Sequence, residues 1–148
     1  MPTGSQTREA PGLKLQLTRR GDYAVRAMLA LAEAGDRQLS AAAVGQRMGI
    51  PASFVPQVLA DLSRAGIAHS ALGRWGGYRL ARSARAISLL EVVEAAVGPS
   101  GRKICVLRGS PCAEDATCQV HDAFTEAQHA MRAVLARTTL RDVVRGRA

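Results

Sequence analysis

A Gly-Ile-Pro break at residues 49–51 separates two short stretches of helical periodicity, and it limits what this chain can fold into. Glycine readily takes the left-handed conformation that ends a helix, and proline cannot continue one. Upstream of the break, Ser40 is a fitting cap for a helix over Ala41 to Met48. Downstream, Phe54, Val55, Val58, Leu59 and Leu62 recur on one face and predict a helix from about Ser53 to Ala65. With Ser53 as its cap, Pro56 falls in the first turn, where amides have no intrahelical partner anyway. Gly66 closes it.

The period then changes. Ile67 to Leu72 and Tyr78 to Ala81 read as short strands, with Gly73-Arg74-Trp75-Gly76-Gly77 between them as a sharp turn. Before the break, Tyr23, Val25, Met28, Leu29, Leu31 and Ala32 predict a helix capped by Thr18 and ended by Gly35. After the hairpin, Ser88 and Glu91 form a capping box for a fourth helix that stops at Gly98-Pro99. Residues 99–118 read as an irregular loop. A long helix from about Gln119 to Arg137 follows, with Val120, Phe124, Ala127, Met131, Val134 and Leu135 on one stripe. Two tightly joined helices followed by a glycine-tipped hairpin make a winged helix-turn-helix, so the chain is expected to be mainly α with a two-stranded β wing. It divides into a disordered tail (1–12), a DNA-binding domain (13–98), a cysteine-bearing loop (99–118) and a C-terminal helical segment (119–148).

Charge supports that reading. The net charge is +8 over 148 residues. Residues 13–85 carry a net +7, whereas residues 86–148 carry +1 and hold all three cysteines. The first half is built to meet an anion, nucleic acid before membrane surface. No apolar run approaches the ~18–20 residues of a membrane span, and residues 1–12 lack the apolar middle of a signal peptide. A cytoplasmic protein with reduced thiols is expected, and an odd number of cysteines speaks against a disulfide framework. Aromatics are only 3% of residues, so Leu, Val, Ile and Ala must fill the core.

In a winged helix-turn-helix the second helix enters the major groove and its N-terminal side chains meet base edges. Here these are Ser53, Phe54 and Gln57, and a glutamine amide suits adenine because it both donates and accepts. Lys14, Arg19 and Arg20 before and within helix 1, and Arg64 late in helix 3, suit phosphates. Arg74 at the hairpin tip can enter a narrow minor groove. Trp75 beside it either packs on a sugar or covers the base of its own wing.

The sharpest chemical feature is Cys105-x6-Cys112-x5-Cys118-x2-His121. Three soft thiolates in one loop suit a thiophilic metal or an iron–sulfur cluster, and their wide spacing is unlike the close pairs of structural zinc. A fourth ligand would be His121, a carboxylate such as Asp22, or a small molecule. A structural zinc and a metal-free thiol redox switch are the alternatives. The histidines, His69, His121 and His129, suggest no base for a nucleophilic cysteine, and no glycine loop of the phosphate-binding kind precedes a helix. An enzyme, and with it a small-molecule substrate, is not expected.

Taken together, these residues resemble the IscR/NsrR-type bacterial transcriptional regulators that bind iron–sulfur clusters. The resemblance runs from about Leu13 to Val144. It is carried by Thr18 to Arg26, Gly49-Ile50-Pro51, Gly76-Gly77-Tyr78, Ile87 to Gly98, the cysteine loop and Thr139 to Val144. It implies a homodimer in which the long helix crosses to the partner as a dimerisation helix. It also implies a [2Fe-2S] or [4Fe-4S] cluster on Cys105, Cys112 and Cys118, with operator DNA bound by a repressor that answers to nitric oxide, oxygen, redox state or iron supply. One branch matches this chain at Asp22-Tyr23, with the carboxylate coming from the partner subunit, and another at Cys118-x2-His121. Three departures stand out. The first cysteine gap is six residues where five is common, Trp75 replaces a smaller residue, and Pro56 stands where relatives often carry a polar side chain.

Overall fold

The computed structural model describes residues 17–98 and 119–146. The tail 1–12, Lys14 and the cysteine loop 99–118 therefore lie outside the described residues. The architecture is the expected one: a mainly helical winged helix-turn-helix with a two-stranded antiparallel wing and C-terminal helices.

Helix α1 (Arg19–Ala34) is the axis of the fold. Its inner face is built from Ala24, Ala27, Met28, Ala30 and Leu31, all fully buried. Small alanines let neighbours approach closely. Helices α2 (Ala41–Met48), α3 (Val55–Arg64), α4 (Leu89–Val97) and α6 (Leu140–Arg145), together with the strand Gly77–Leu80, all pack on α1. Thr18 caps it, its hydroxyl accepting from the Gly21 N–H at 3.2 Å, and Gly35 ends it with φ +63°. The core completes itself with Val44, Leu59, Leu62, Ile67, Ile87, Val92 and Leu140, none more than 2% exposed.

The helix-turn-helix follows from local chemistry. The Ser40 hydroxyl accepts from the Ala43 N–H at 3.1 Å and starts α2. Gly49, at φ +65°, ends it, and the N–H groups of Gly49 and Ile50 both turn back to the Gly45 carbonyl. Helix α3 begins two residues later than the spacing suggests, at Val55, and Ser53 is not its cap. The Phe54 N–H is instead taken by the Pro51 carbonyl at 2.9 Å, in a turn that leads directly into the helix. Pro56 sits in the first turn as expected.

The wing pairs β1 (Ala68–Ala71) with β2 (Gly77–Leu80), with Ala68 opposite Leu80 and Ala71 opposite Gly77. The first strand is two residues shorter than expected, with Leu72 outside it at 98% exposure, and the second keeps its length but starts one residue earlier. Gly76 is required at the tip, since a Cβ there would lie 2.2 Å from the Ala71 carbonyl oxygen. Leu39 and Tyr78 exchange both backbone hydrogen bonds, at 2.9 and 2.8 Å, and pin the wing to the entry of α2.

Ser88 and Glu91 form the expected capping box on α4. Helix α5 (His121–Arg137) starts two residues later than expected. A short helix, α6, was not read from the pattern; it is capped by a second box between Thr139 and Asp142. Its Leu140 is fully buried, and its N–H reaches the Ile87 carbonyl at 3.0 Å. None of the 17 residues of α5 is buried. It touches α4, with an Arg132–Glu94 ion pair between them, and its apolar stripe is left half covered: Phe124, Met131 and Leu135 are half-buried and Val134 is exposed.

The two helices of the helix-turn-helix approach closely at Gly45, where a Cβ would stand 2.9 Å from Val55 Cγ2 and 3.2 Å from the Ile50 carbonyl oxygen. Gly45→Val is expected to destabilise the domain by about 1–3 kcal/mol through overpacking, read as a lower urea midpoint.

Candidate nucleic-acid interface and the carboxylates behind it

The side chains expected to meet DNA stand on three elements that the core holds in place: the start of α1, the start of α3 and the wing tip. Arg19 and Arg20 are exposed at the head of α1, and Ser53 lies exposed in the turn before α3. Gln57 is exposed in the first turn of α3, and Arg64 stands at its end with 71% of its side chain in solvent. Phe54 is half-buried, its ring 5.3 Å from that of Tyr23, so much of it serves packing. Arg74 is exposed at the wing tip. Trp75 is 87% exposed and therefore does not cover the base of its own wing.

Three of these residues meet at a group the sequence reading missed. Asp61 is 4% exposed and the one charged residue in the buried set among the described residues. Its Oδ2 accepts from Arg20, reaching across from α1. Its Oδ1 accepts from Gln57 Nε2 at 3.0 Å and from an Arg64 guanidinium nitrogen at 3.1 Å. Burial pushes the Asp61 carboxyl up. The hydrogen bonds from Arg20, Gln57 and Arg64, with the charge of Arg20, outweigh it and hold the group below its ordinary 3.8. The spacing Gln57-x3-Asp61-x2-Arg64 puts these three on one helix face, a signal visible in the sequence. The link to Arg20, 41 residues away, is not.

A second ion pair lies one turn along α1. Arg26 bonds Asp22 at 3.0 and 2.9 Å, and a guanidinium nitrogen also donates to the Met48 carbonyl at 3.3 Å. Asp22 is half-exposed and opens on a cleft lined by Leu17, Arg19, Tyr23, Arg26, Gly49 and Pro51. His121 is the first residue of α5. Cys105, Cys112 and Cys118 lie outside the described residues. Among those described, no three His, Cys, Asp or Glu side chains gather as a metal site. No helix among them is long and apolar enough to cross a membrane.

A tight helix-turn-helix, an arginine-tipped wing and exposed arginines at the head of α1 and the end of α3 fit a DNA-binding transcriptional regulator. The chain belongs to the Rrf2 family: residues 17–146 match the family model, described as an iron-dependent transcriptional regulator. It is 33% identical over 132 residues to protein rrf2 of Nitratidesulfovibrio vulgaris, covering 88% of each chain. Its fold is similar to that of T. potens IscR, with a TM-score of 0.73 and 26% identity over 90% of this chain and 89% of that one. It is also similar to CymR, the global cysteine regulator of B. subtilis, with a TM-score of 0.74 and 25% identity over 88% of this chain and 97% of that one. The family is one of transcriptional regulators and not of enzymes.

The Asp61 cluster makes a prediction about acid stability. Asp61→Asn is expected to lose roughly 1–3 kcal/mol at pH 7, the range for hydrogen bonds to a charged group. Because the folded-state carboxyl sits below 3.8, its contribution is complete above that pH and is lost as the pH falls through the folded value. Urea unfolding of both proteins from pH 7 to pH 2 should show the two curves converging at the acid end.

Proposed function

We propose that the chain is a homodimeric, cytoplasmic repressor of transcription that binds a two-fold operator, its affinity set by an iron–sulfur cluster on Cys105, Cys112 and Cys118. No membrane or small-molecule substrate is part of this reading. Gln57 and Ser53 face base edges, Arg19, Arg20 and Arg64 face phosphates, and Arg74 with Trp75 faces the minor groove and its sugars. Lys14 adds a phosphate contact. Phe54 contributes contact with its uncovered edge while packing on Tyr23.

The donor set fits the cluster. Three thiolates are the ordinary iron–sulfur ligands, and a carboxylate or imidazole completes the fourth position. Asp22 is half-exposed beside an open cleft, and His121 opens the helix that follows the cysteine segment. Bound there, a [2Fe-2S] or [4Fe-4S] cluster supplies an iron centre that exchanges electrons and reacts with oxygen or nitric oxide.

What carries the coupling is Arg26. It holds Asp22, and it also holds the carbonyl of Met48, the last residue of α2. A new partner for the Asp22 carboxylate changes what Arg26 grips at the mouth of the helix-turn-helix. In a two-fold dimer, a small tilt there alters the spacing of the two recognition helices against the operator half-sites. The unburied stripe of α5, with Phe124, Met131 and Leu135, suits the dimer contact.

Anaerobically purified protein is expected to be coloured, with iron and acid-labile sulfide, and Cys112→Ala to lose both the colour and the response of operator binding to nitric oxide. A coloured, responsive Cys112→Ala contradicts the assignment. Colourless protein holding zinc, or metal-free protein with reversible disulfides, would replace it with a structural zinc or a thiol switch. Arg26→Met is expected to keep the visible spectrum while its operator affinity changes less than threefold, on the order of RT, upon nitric oxide treatment. Gel shifts before and after treatment measure it.

A further inference from the structure

Asp61 is buried, and one of the three side chains it holds is the exposed Gln57. An ionised carboxylate can only accept hydrogen bonds, so Gln57 must turn its Nε2, not its Oε1, toward Asp61. The observed 3.0 Å contact from Nε2 to Oδ1 has that polarity. One amide N–H is thereby taken. The second N–H and the Oε1 remain as an adjacent donor and acceptor on an exposed residue in the first turn of α3. Adenine presents the matching pair in the major groove: N7 accepts and the N6 amine donates. A glutamine free to flip its amide would present these two groups in either order. Asp61 itself cannot swing, since its Oδ2 is tied to Arg20 on α1 and its Oδ1 is shared with Arg64.

We propose that Asp61 is a specificity-determining positioning residue: it touches no base, but by fixing the orientation of the Gln57 amide it sets a preference for adenine at one base pair of each half-site. This rests on the reading of α3 as the helix that meets base edges. The same carboxylate holds Arg20 and Arg64, so the base reader and two phosphate-facing guanidiniums are positioned by one group.

The test uses the full-length protein and duplexes it selects from a randomised pool. In the wild type, one base pair per half-site is expected to favour adenine by about tenfold or more, within the range of a good bidentate contact. Gln57→Ala should abolish that preference and leave the others. Asp61→Leu should cut the preference at the same base pair to below about threefold, and adding Gln57→Ala to it should remove only that remainder. A variant that merely loosened the fold would weaken binding at all positions alike. If Asp61→Leu fails to fold, as judged by circular dichroism, Asp61→Asn serves. It offers Gln57 either a donor or an acceptor and should lower the preference at that position several-fold, on the order of RT to 2RT. Full discrimination in a folded Asp61 variant, alongside its loss in Gln57→Ala, overturns the positioning role alone. No change at any base pair in Gln57→Ala overturns the reading of α3 and the proposal with it.

Discussion

A carboxylate with almost no access to water must be matched by donors, and Asp61 finds three of them. Leaving it unmatched would cost several kcal/mol, so the geometry around it is strongly determined. Arg20 has to come from α1, and Gln57 and Arg64 have to lie on the same face of α3 as Asp61. The proposed DNA-facing side chains Arg20, Gln57 and Arg64 are thus anchored to a buried group. That arrangement depends on α1, which packs against α3 and carries Arg20.

Two ion pairs divide the work along α1. Arg20 looks toward α3 through Asp61, and Arg26 looks toward the end of α2 through Asp22 and Met48. The Arg26–Asp22 pair, partly exposed at both ends, gains little from charge attraction alone. Both arginines matter for geometry: Arg20 ties α3 to α1 through Asp61, and Arg26, paired with Asp22 within α1, ties the end of α2 to it through the Met48 carbonyl. Asp22 lies on α1 and Gln57 is tied to it through Asp61 and Arg20, so the proposed event at Asp22 and the proposed base reading by Gln57 would be linked through one helix.

Much of the fold was legible because its signals are local. Gly49, with its positive φ, and the two backbone bonds to the Gly45 carbonyl follow from residues within one turn. The capping box at Ser88 and Glu91 needs three residues, and the wing needs its glycines. Expectation and structure part where a competing local turn or a tertiary contact decides. Ser53 looked like a cap, but the Pro51 carbonyl reached the Phe54 amide first. Helix α6 is six residues long, too short for periodicity to show, and it exists because Leu140 drops into the core and bonds Ile87. The Arg20–Asp61 pair joins residues that no window of sequence brings together. The exposed indole of Trp75 settles one open choice, since the strands end before it and leave the tip to project.

The most direct measurement is a crystal structure of the protein on an operator duplex it has selected. The account expects α3 in the major groove, with the Gln57 amide against a base edge while its Nε2 remains within hydrogen-bond distance of Asp61. It also expects Arg20 to bridge Asp61 and a phosphate. A complex in which Gln57 has turned away from Asp61 to reach the DNA, or in which α3 lies outside the groove, would contradict it.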